Sequence, residues 1–428
     1  MSHHPVTTVD PAASEPAVSP AAIDAAARRL AEVISETPLQ YNERLSRLTG
    51  AEIWLKREDL QPVRSYKIRG AYNLMAQLSE SEQAAGVVAA SAGNHGQGVA
   101  MACAHLGIQG RIFAPSTTPR QKRDRMRHFG GVHTELVIVG DTYDEAHHAA
   151  VAEAEQTGAT LIPAFDHPAT IAGQGTVAKE LVEQLGREPD VIYLPVGGGG
   201  LLAGCLTWLH TYSPHSRVVG VEPTGAASMA AALNVGHPVS LETLDTFADG
   251  AAVRRAGDLP VALAQQFGPT MVTVPEGALC TEMLALYQTE GIIAEPAGAL
   301  ASAALIRTRP RPGELVVAVV SGGNNDVSRY AEILERSLIH EGRKHYFLVN
   351  FPQEPGALRR FLDEVLGPED DITHFEYVKR SNREVGPALV GIELGDPSTI
   401  SALKARMAAS PIQVDTLAPE SPFYRFLV

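Results

Sequence analysis

The strongest constraint on this chain is a rhythm. Between residues 53 and 320, short apolar runs rich in β-branched residues alternate with longer stretches of helical periodicity. The short runs fall at 53–56, 87–91, 111–114, 135–139, 160–163, 191–196, 217–221, 271–274 and 315–320. Strands that alternate with helices build βαβ units and a parallel sheet. Several runs, Leu-Val-Val-Ala-Val-Val at 315–320 among them, are apolar throughout, as a strand must be when helices cover both faces of its sheet. The expected class is α/β, and ligands of open α/β sheets bind at the carboxyl ends of the strands.

Near residue 340 the rhythm changes. A helical stretch at 328–338 leads through Glu341-Gly342-Arg343-Lys344 into a β-rich run at 346–351 and a Pro355-Gly356 turn. A helix at 358–366, strands at 372–379 and 388–394, and a helix at 399–409 follow, before a Pro-rich end. This β-α-β-β-α order is that of a small ferredoxin-like α+β module. We therefore expect one domain over 21–340 and a second over 344–428. A first helix is expected at 21–35. Residues 1–20, mostly Ala, Pro, Ser and Thr, read as a disordered tail without the basic start and apolar middle of a signal peptide.

Charge and cysteine usage narrow the partners. With 35 Lys and Arg against 49 Asp and Glu the net charge is −14, and the acidic surplus is spread along the sequence, so neither nucleic acid nor an anionic membrane is expected to bind. No apolar stretch reaches the roughly 18 residues of a membrane-spanning helix. Cys103, Cys205 and Cys280 form neither a disulfide framework nor a metal-ligand spacing, which fits a reducing, cytoplasmic setting.

Four segments could carry chemistry. Ser65-Tyr66-Lys67-Ile68-Arg69-Gly70 follows a charged strand end, although a lone lysine on a first helical turn is usually a solvated surface residue. Ser91-Ala92-Gly93-Asn94-His95-Gly96-Gln97-Gly98 lies between an apolar strand and a helix start, where glycines let backbone amides approach a carboxylate or phosphate. A plain Gly/Asn turn accounts for it about equally well. Gly197-Gly198-Gly199-Gly200 again follows an apolar strand and opens a helix, an anion cradle of amides with phosphate as the expected guest. Gly198, Gly200 and Ala203 also satisfy G-x-G-x-x-A, with Glu222 placed where a ribose-binding acid would sit, so this segment alone leaves a dinucleotide site open. Ser321-Gly322-Gly323-Asn324-Asn325 follows the run at 315–320 and is preceded by Glu295-Pro296-Ala297-Gly298-Ala299.

In this order and at these distances the motifs resemble the fold-type II pyridoxal-phosphate enzymes, specifically the threonine dehydratases (threonine ammonia-lyases), over about 21–340. The remainder, with Phe351-Pro352-Gln353-Glu354-Pro355-Gly356-Ala357-Leu358, is similar to one copy of the ACT-like regulatory domain of biosynthetic members. The resemblance implies two α/β lobes, the smaller at about 75–175, around pyridoxal 5′-phosphate. It implies Lys67 as the residue that carries the cofactor, Gly197, Gly198, Gly199, Gly200 and Leu201 at its phosphate, Asn94 at its 3′-oxygen and Ser321 at its ring nitrogen. Ser91, Gly93, Asn94 and His95 are implied at the substrate carboxylate. L-Threonine is the implied substrate, with L-serine as the near rival, and 2-oxobutanoate and ammonia are the products, a committed step toward isoleucine. A β-replacement relative such as a cysteine synthase is the further alternative. Isoleucine as feedback inhibitor, valine as an opposing effector and a homotetramer are implied as well. Two departures matter. Serine racemases of this family carry a serine where this chain has Ala92, so racemisation is expected to be poor; and Glu222-Pro223 lacks the distal acid of their divalent site, so no metal is expected.

Overall fold

The computed structural model describes residues 18–377 and 384–418. Strands β1 (Leu39–Tyr41) and β2 (Glu52–Arg57) open a large sheet, and β3 (Val87–Ala90), β4 (Gly110–Ala114), β5 (Thr134–Ile138) and β6 (Thr160–Leu161) form a second one. The chain then returns to the large sheet with β7 (Val191–Pro195), β8 (Arg217–Pro223), β9 (Thr270–Val274) and β10 (Leu315–Val320). Every run expected from the rhythm is a strand.

The large sheet has the order β1-β2-β10-β7-β8-β9, parallel except where β1 pairs with β2. The order β5-β4-β3-β6 of the second is parallel throughout. Strand β10 shows why continuous apolar runs mark such sheets. Val316, Ala318 and Val320 enter one buried cluster with Ile53, Leu55 and Tyr193, while Val317 and Val319 enter another with Ile192 and Leu194. The period-two alternation therefore feeds two cores, one on each face.

A third sheet, β12-β13-β11-β14, is antiparallel and consists of β11 (Lys344–Pro352), β12 (Asp371–Tyr377), β13 (Val385–Glu393) and β14 (Gln413–Thr416). The helices Ala357–Glu364 and Ile400–Ala409 cover it through Phe361, Leu403 and Met407. Strand β14 lies where the sequence suggested only a Pro-rich end. Residues 378 and 379 of the expected third-sheet strand, and 1–17 of the expected tail, lie outside the described residues. Val18, however, is buried and Ser19 caps the helix Pro20–Leu30, which stops short of the expected residue 35. Among the described residues no helix is long and apolar enough to cross a membrane.

Candidate active site

The four segments singled out in the sequence meet between the two parallel sheets. Strand β10 runs directly into Ser321-Gly322, and this turn pairs with the segment before Lys67. Tyr66 N donates to Ser321 O at 3.2 Å, and Ser65 bridges Gly322. Lys67 opens the helix Lys67–Met75, and its Nζ donates to Ala164 O at 3.2 Å. Two residues on, fully buried Arg69 anchors that first turn: its guanidinium donates to Glu58 at 2.7 and 2.8 Å and to Glu180 at 2.8 Å. These ion pairs tie the turn that bears Lys67 to Glu58 and to the helix Pro168–Leu185. The helix Asn94–Leu106 packs against the same turn, with a Cβ built on Gly98 only 3.2 Å from the Lys67 carbonyl carbon.

The glycine loop follows β7 and leads into the helix Gly200–Tyr212. A Cβ on Gly198 would lie 2.3 Å from the Phe165 ring, one on Gly197 3.0 Å from the Ala251 backbone, and one on Gly199 2.4 Å from Met229 Cε. Gly199 also has φ +91°, open to glycine at little cost. A side chain would clash at Gly198 and Gly199 and press on the Ala251 backbone at Gly197, and among the described residues the three N–H groups donate to no protein acceptor. Unpaired amides at a helix N-terminus make an anion site that adds no titrating group. Leu201, 2% exposed, anchors this helix in the core.

In the loop after β3, Ser91 Oγ accepts from Gly93 N at 3.1 Å and from Gly96 N at 2.9 Å, which turns the chain into its helix. Asn94 is fixed on both sides: its Nδ2 donates to Glu295 Oε1 at 2.5 Å, and its Oδ1 accepts from Asn324 Nδ2 at 2.7 Å. Burial, with a smaller contribution from nearby Asp249, pushes the Glu295 carboxyl up to about 7. The His95 ring is tied to Ile162 O by Nε2 at 2.7 Å, and burial and the neighbouring Lys67 charge push it down to about 4. It is a neutral anchor and brings no charge to the loop. Ser321 Oγ, buried, donates to Ala297 O at 3.2 Å.

Glu222 does not serve as a ribose-binding acid. Its fully buried carboxylate accepts from Met229 N at 2.7 Å and Ala230 N at 2.9 Å, capping the helix Ser228–Val235. The dinucleotide alternative loses its acid. Phe165, Lys122 and Asp249 have no place among the motifs of the sequence, and Glu295 stands there only as the entry to a helix. Phe165 closes the glycine loop, Glu295 orients Asn94, and Lys122 pairs with Asp249 beside them. Only Glu295, at a helix entry among the motif residues, left a signal in the sequence.

A side-chain-free anion cradle, an amine on a rigid helical turn, an oriented amide and a buried hydroxyl fit pyridoxal 5′-phosphate in each of its polar groups. Fold and site together define a fold-type II pyridoxal-phosphate enzyme carrying a C-terminal regulatory domain. Residues 30–322 match the family "Pyridoxal-phosphate dependent enzyme", and 335–427 match "C-terminal regulatory domain of Threonine dehydratase". The chain belongs to the biosynthetic L-threonine dehydratase family. It is 60% identical to the Mycobacterium leprae (strain TN) member over 96% of this chain and 97% of that protein. It is 57% identical to the Corynebacterium glutamicum member over 95% and 94%. The solved processed form of threonine deaminase isoform 2 from Solanum lycopersicum is similar at 40% identity and TM-score 0.71, covering 74% of this chain and 92% of that one.

Proposed function

We propose that this chain is a threonine ammonia-lyase that turns L-threonine into 2-oxobutanoate and ammonia, the committed step toward isoleucine, under feedback by isoleucine at its C-terminal domain. The observation that carries the reading is the direct pairing of the Lys67 turn with the Ser321 turn, in a chain similar to biosynthetic threonine dehydratases over nearly its whole length. Lys67 would hold the cofactor, the amides of Gly197, Gly198, Gly199, Gly200 and Leu201 its phosphate, Asn94 its 3′-oxygen and Ser321 its ring nitrogen. Ser91, Gly93, Asn94 and the amide of His95 would grip the substrate carboxylate.

When bound, pyridoxal phosphate supplies an electron sink for negative charge at Cα. The protein supplies the rest. Lys67 Nζ as free amine takes the α-proton, and its fixed helical turn keeps it in line for this transfer. Ser321 offers a hydroxyl and no negative charge, so it does not hold a proton on a ring nitrogen as a carboxylate would. With the cofactor bound, that setting would suit departure of the β-hydroxyl, as water with a proton taken up in the site, over reactions that must keep negative charge at Cα. Neutral His95 adds no competing charge.

The division of labour we infer is catalysis by 21–340 and effector sensing by 344–428, in a cytoplasmic homotetramer. Isoleucine acts by binding one arrangement better than the other, with valine opposing it, and the coupling is reciprocal. Side-by-side turnover of threonine, serine and O-acetylserine by the purified holoenzyme tests the substrate. We expect threonine to give the highest kcat/KM; O-acetylserine consumed faster, with sulfide as acceptor, would move the chain to the β-replacement enzymes.

A further inference from the structure

Two charges from different parts of the chain meet beside the carboxylate loop. Lys122, on the helix Arg120–Gly130, is only 8% exposed, which is rare for a lysine, and its Nζ pairs with Asp249. A Cβ built on Gly93 would stand 3.9 Å from that Nζ, so the ammonium lies against the loop assigned to the substrate carboxylate. The segment bearing Asp249 touches the site twice more. A Cβ on Gly250 would come within 3.5 Å of Glu295 Oε1 and 3.8 Å of Asn94 Nδ2, and the Ala251 backbone closes against Gly197.

This segment is clamped from outside the site. Phe247, 4% exposed, carries two guanidinium groups over its ring, Arg329 at 4.7 Å and Arg336 at 4.5 Å. Arg329 also donates to Phe247 O at 2.8 Å and approaches Asp249 at 3.9 Å. Arg336 belongs to the helix Tyr330–His340, and Arg329 immediately precedes it. The same helix grips the first strand of the regulatory sheet, since Glu335 accepts from Lys344 Nζ at 2.5 Å and from Tyr346 Oη at 2.8 Å.

We propose that Lys122 is a substrate-positioning residue, held at the carboxylate loop by Asp249, and that the helix Tyr330–His340 sets its placement through Arg329, Arg336 and Phe247. This rests on the reading of 91–95 as the carboxylate loop. An ammonium there attracts the substrate carboxylate without contacting the reacting bonds, so it acts on KM more than on kcat. A purely structural ion pair would leave KM unmoved. A coupling claim also requires non-additivity between the ends of the chain of contacts, beyond their contiguity.

The test uses the holoenzyme with threonine. Lys122→Met should raise KM about tenfold and change kcat less than about twofold, as loss of a charged hydrogen bond does, and Lys122→Arg should restore most of it. Arg336→Gln should raise KM about threefold alone and add nothing in an Asp249→Asn background. Without substrate, backbone hydrogen exchange in 91–98 and 120–130 should quicken in both Asp249→Asn and Arg336→Gln. Unchanged KM in Lys122→Met, multiplicative effects of Asp249→Asn and Arg336→Gln, or exchange changes confined to 329–340 would overturn the proposal while the parent enzyme still consumes threonine. A parent enzyme inert toward threonine would instead overturn the functional reading.

Discussion

Replacing Gly198 by alanine adds one methyl group to the glycine loop, and its surroundings set the consequence. The new Cβ would stand 2.3 Å from Cγ and Cδ1 of Phe165 and 2.5 Å from Cδ2. Carbon atoms rest at about 3.5–4.0 Å, so ring or loop must yield by more than about 1 Å. The backbone itself accepts alanine, because Gly198, unlike Gly199, has no positive φ. The cost is steric. Phe165 cannot swing away freely, since Ala164 O receives Lys67 Nζ at 3.2 Å and Asp166 receives the amides of Asp258 and Leu259 at 2.8 and 3.1 Å. Overpacking of this kind costs about 1–3 kcal/mol, and the loop takes it up as displaced amides. Titration of the apoenzyme with pyridoxal phosphate should then show affinity weakened about 5- to 150-fold. Adding Phe165→Leu should recover most of the loss, because it removes the clash. Normal affinity in Gly198→Ala, or a double variant in which the two losses simply add, would refute the reasoning.

The other predictions concern charge and attachment. Lys67→Ala should lack the visible absorbance that borohydride removes from the parent enzyme, and should form no 2-oxo acid. His95, pushed down from 6.5 to about 4, is a group that the unfolded chain protonates first, so stability is lost as pH falls from about 6.5 toward 4, by about 3 kcal/mol. Urea titrations of His95→Gln should therefore be flatter across that window than those of the parent. Glu295 works in the opposite sense: pushed up from 4.5 to about 7, it binds its proton more tightly when folded and destabilises the fold as pH rises between those values. Glu295→Gln, which keeps an acceptor for Asn94, should gain stability relative to the parent over that rise, by up to about 3 kcal/mol in the same titration.

Most of the fold was legible because buried parallel strands are written as unbroken apolar runs, and β10, with both faces in a core, is the clearest case. Strands β1 and β14 were not, because they are edge strands of three and four mostly exposed residues whose few apolar side chains, Leu39, Tyr41 and Val414, form no run. The insertion of β10 between β2 and β7 had no local signal either, since pairing across such separations is settled by packing. In the site, glycine segments after strands announced themselves. Their supports did not. Lys122 sits on a helix so rich in Arg that it reads as a solvated face, Phe165 lies in an irregular connection, and Asp249 matters only through what folds onto it. Glu222 misled because its spacing suits a ribose acid, whereas its carboxylate is consumed by two helix amides.

The most direct measurement is the rate of 2-oxo acid formation from L-threonine by the purified pyridoxal-phosphate enzyme, with and without isoleucine. The account predicts steady turnover that isoleucine suppresses and that Lys67→Ala abolishes. No 2-oxobutanoate from threonine, or turnover undiminished in Lys67→Ala, would contradict the assignment of the catalytic site, and turnover indifferent to isoleucine would contradict the role given to the C-terminal domain.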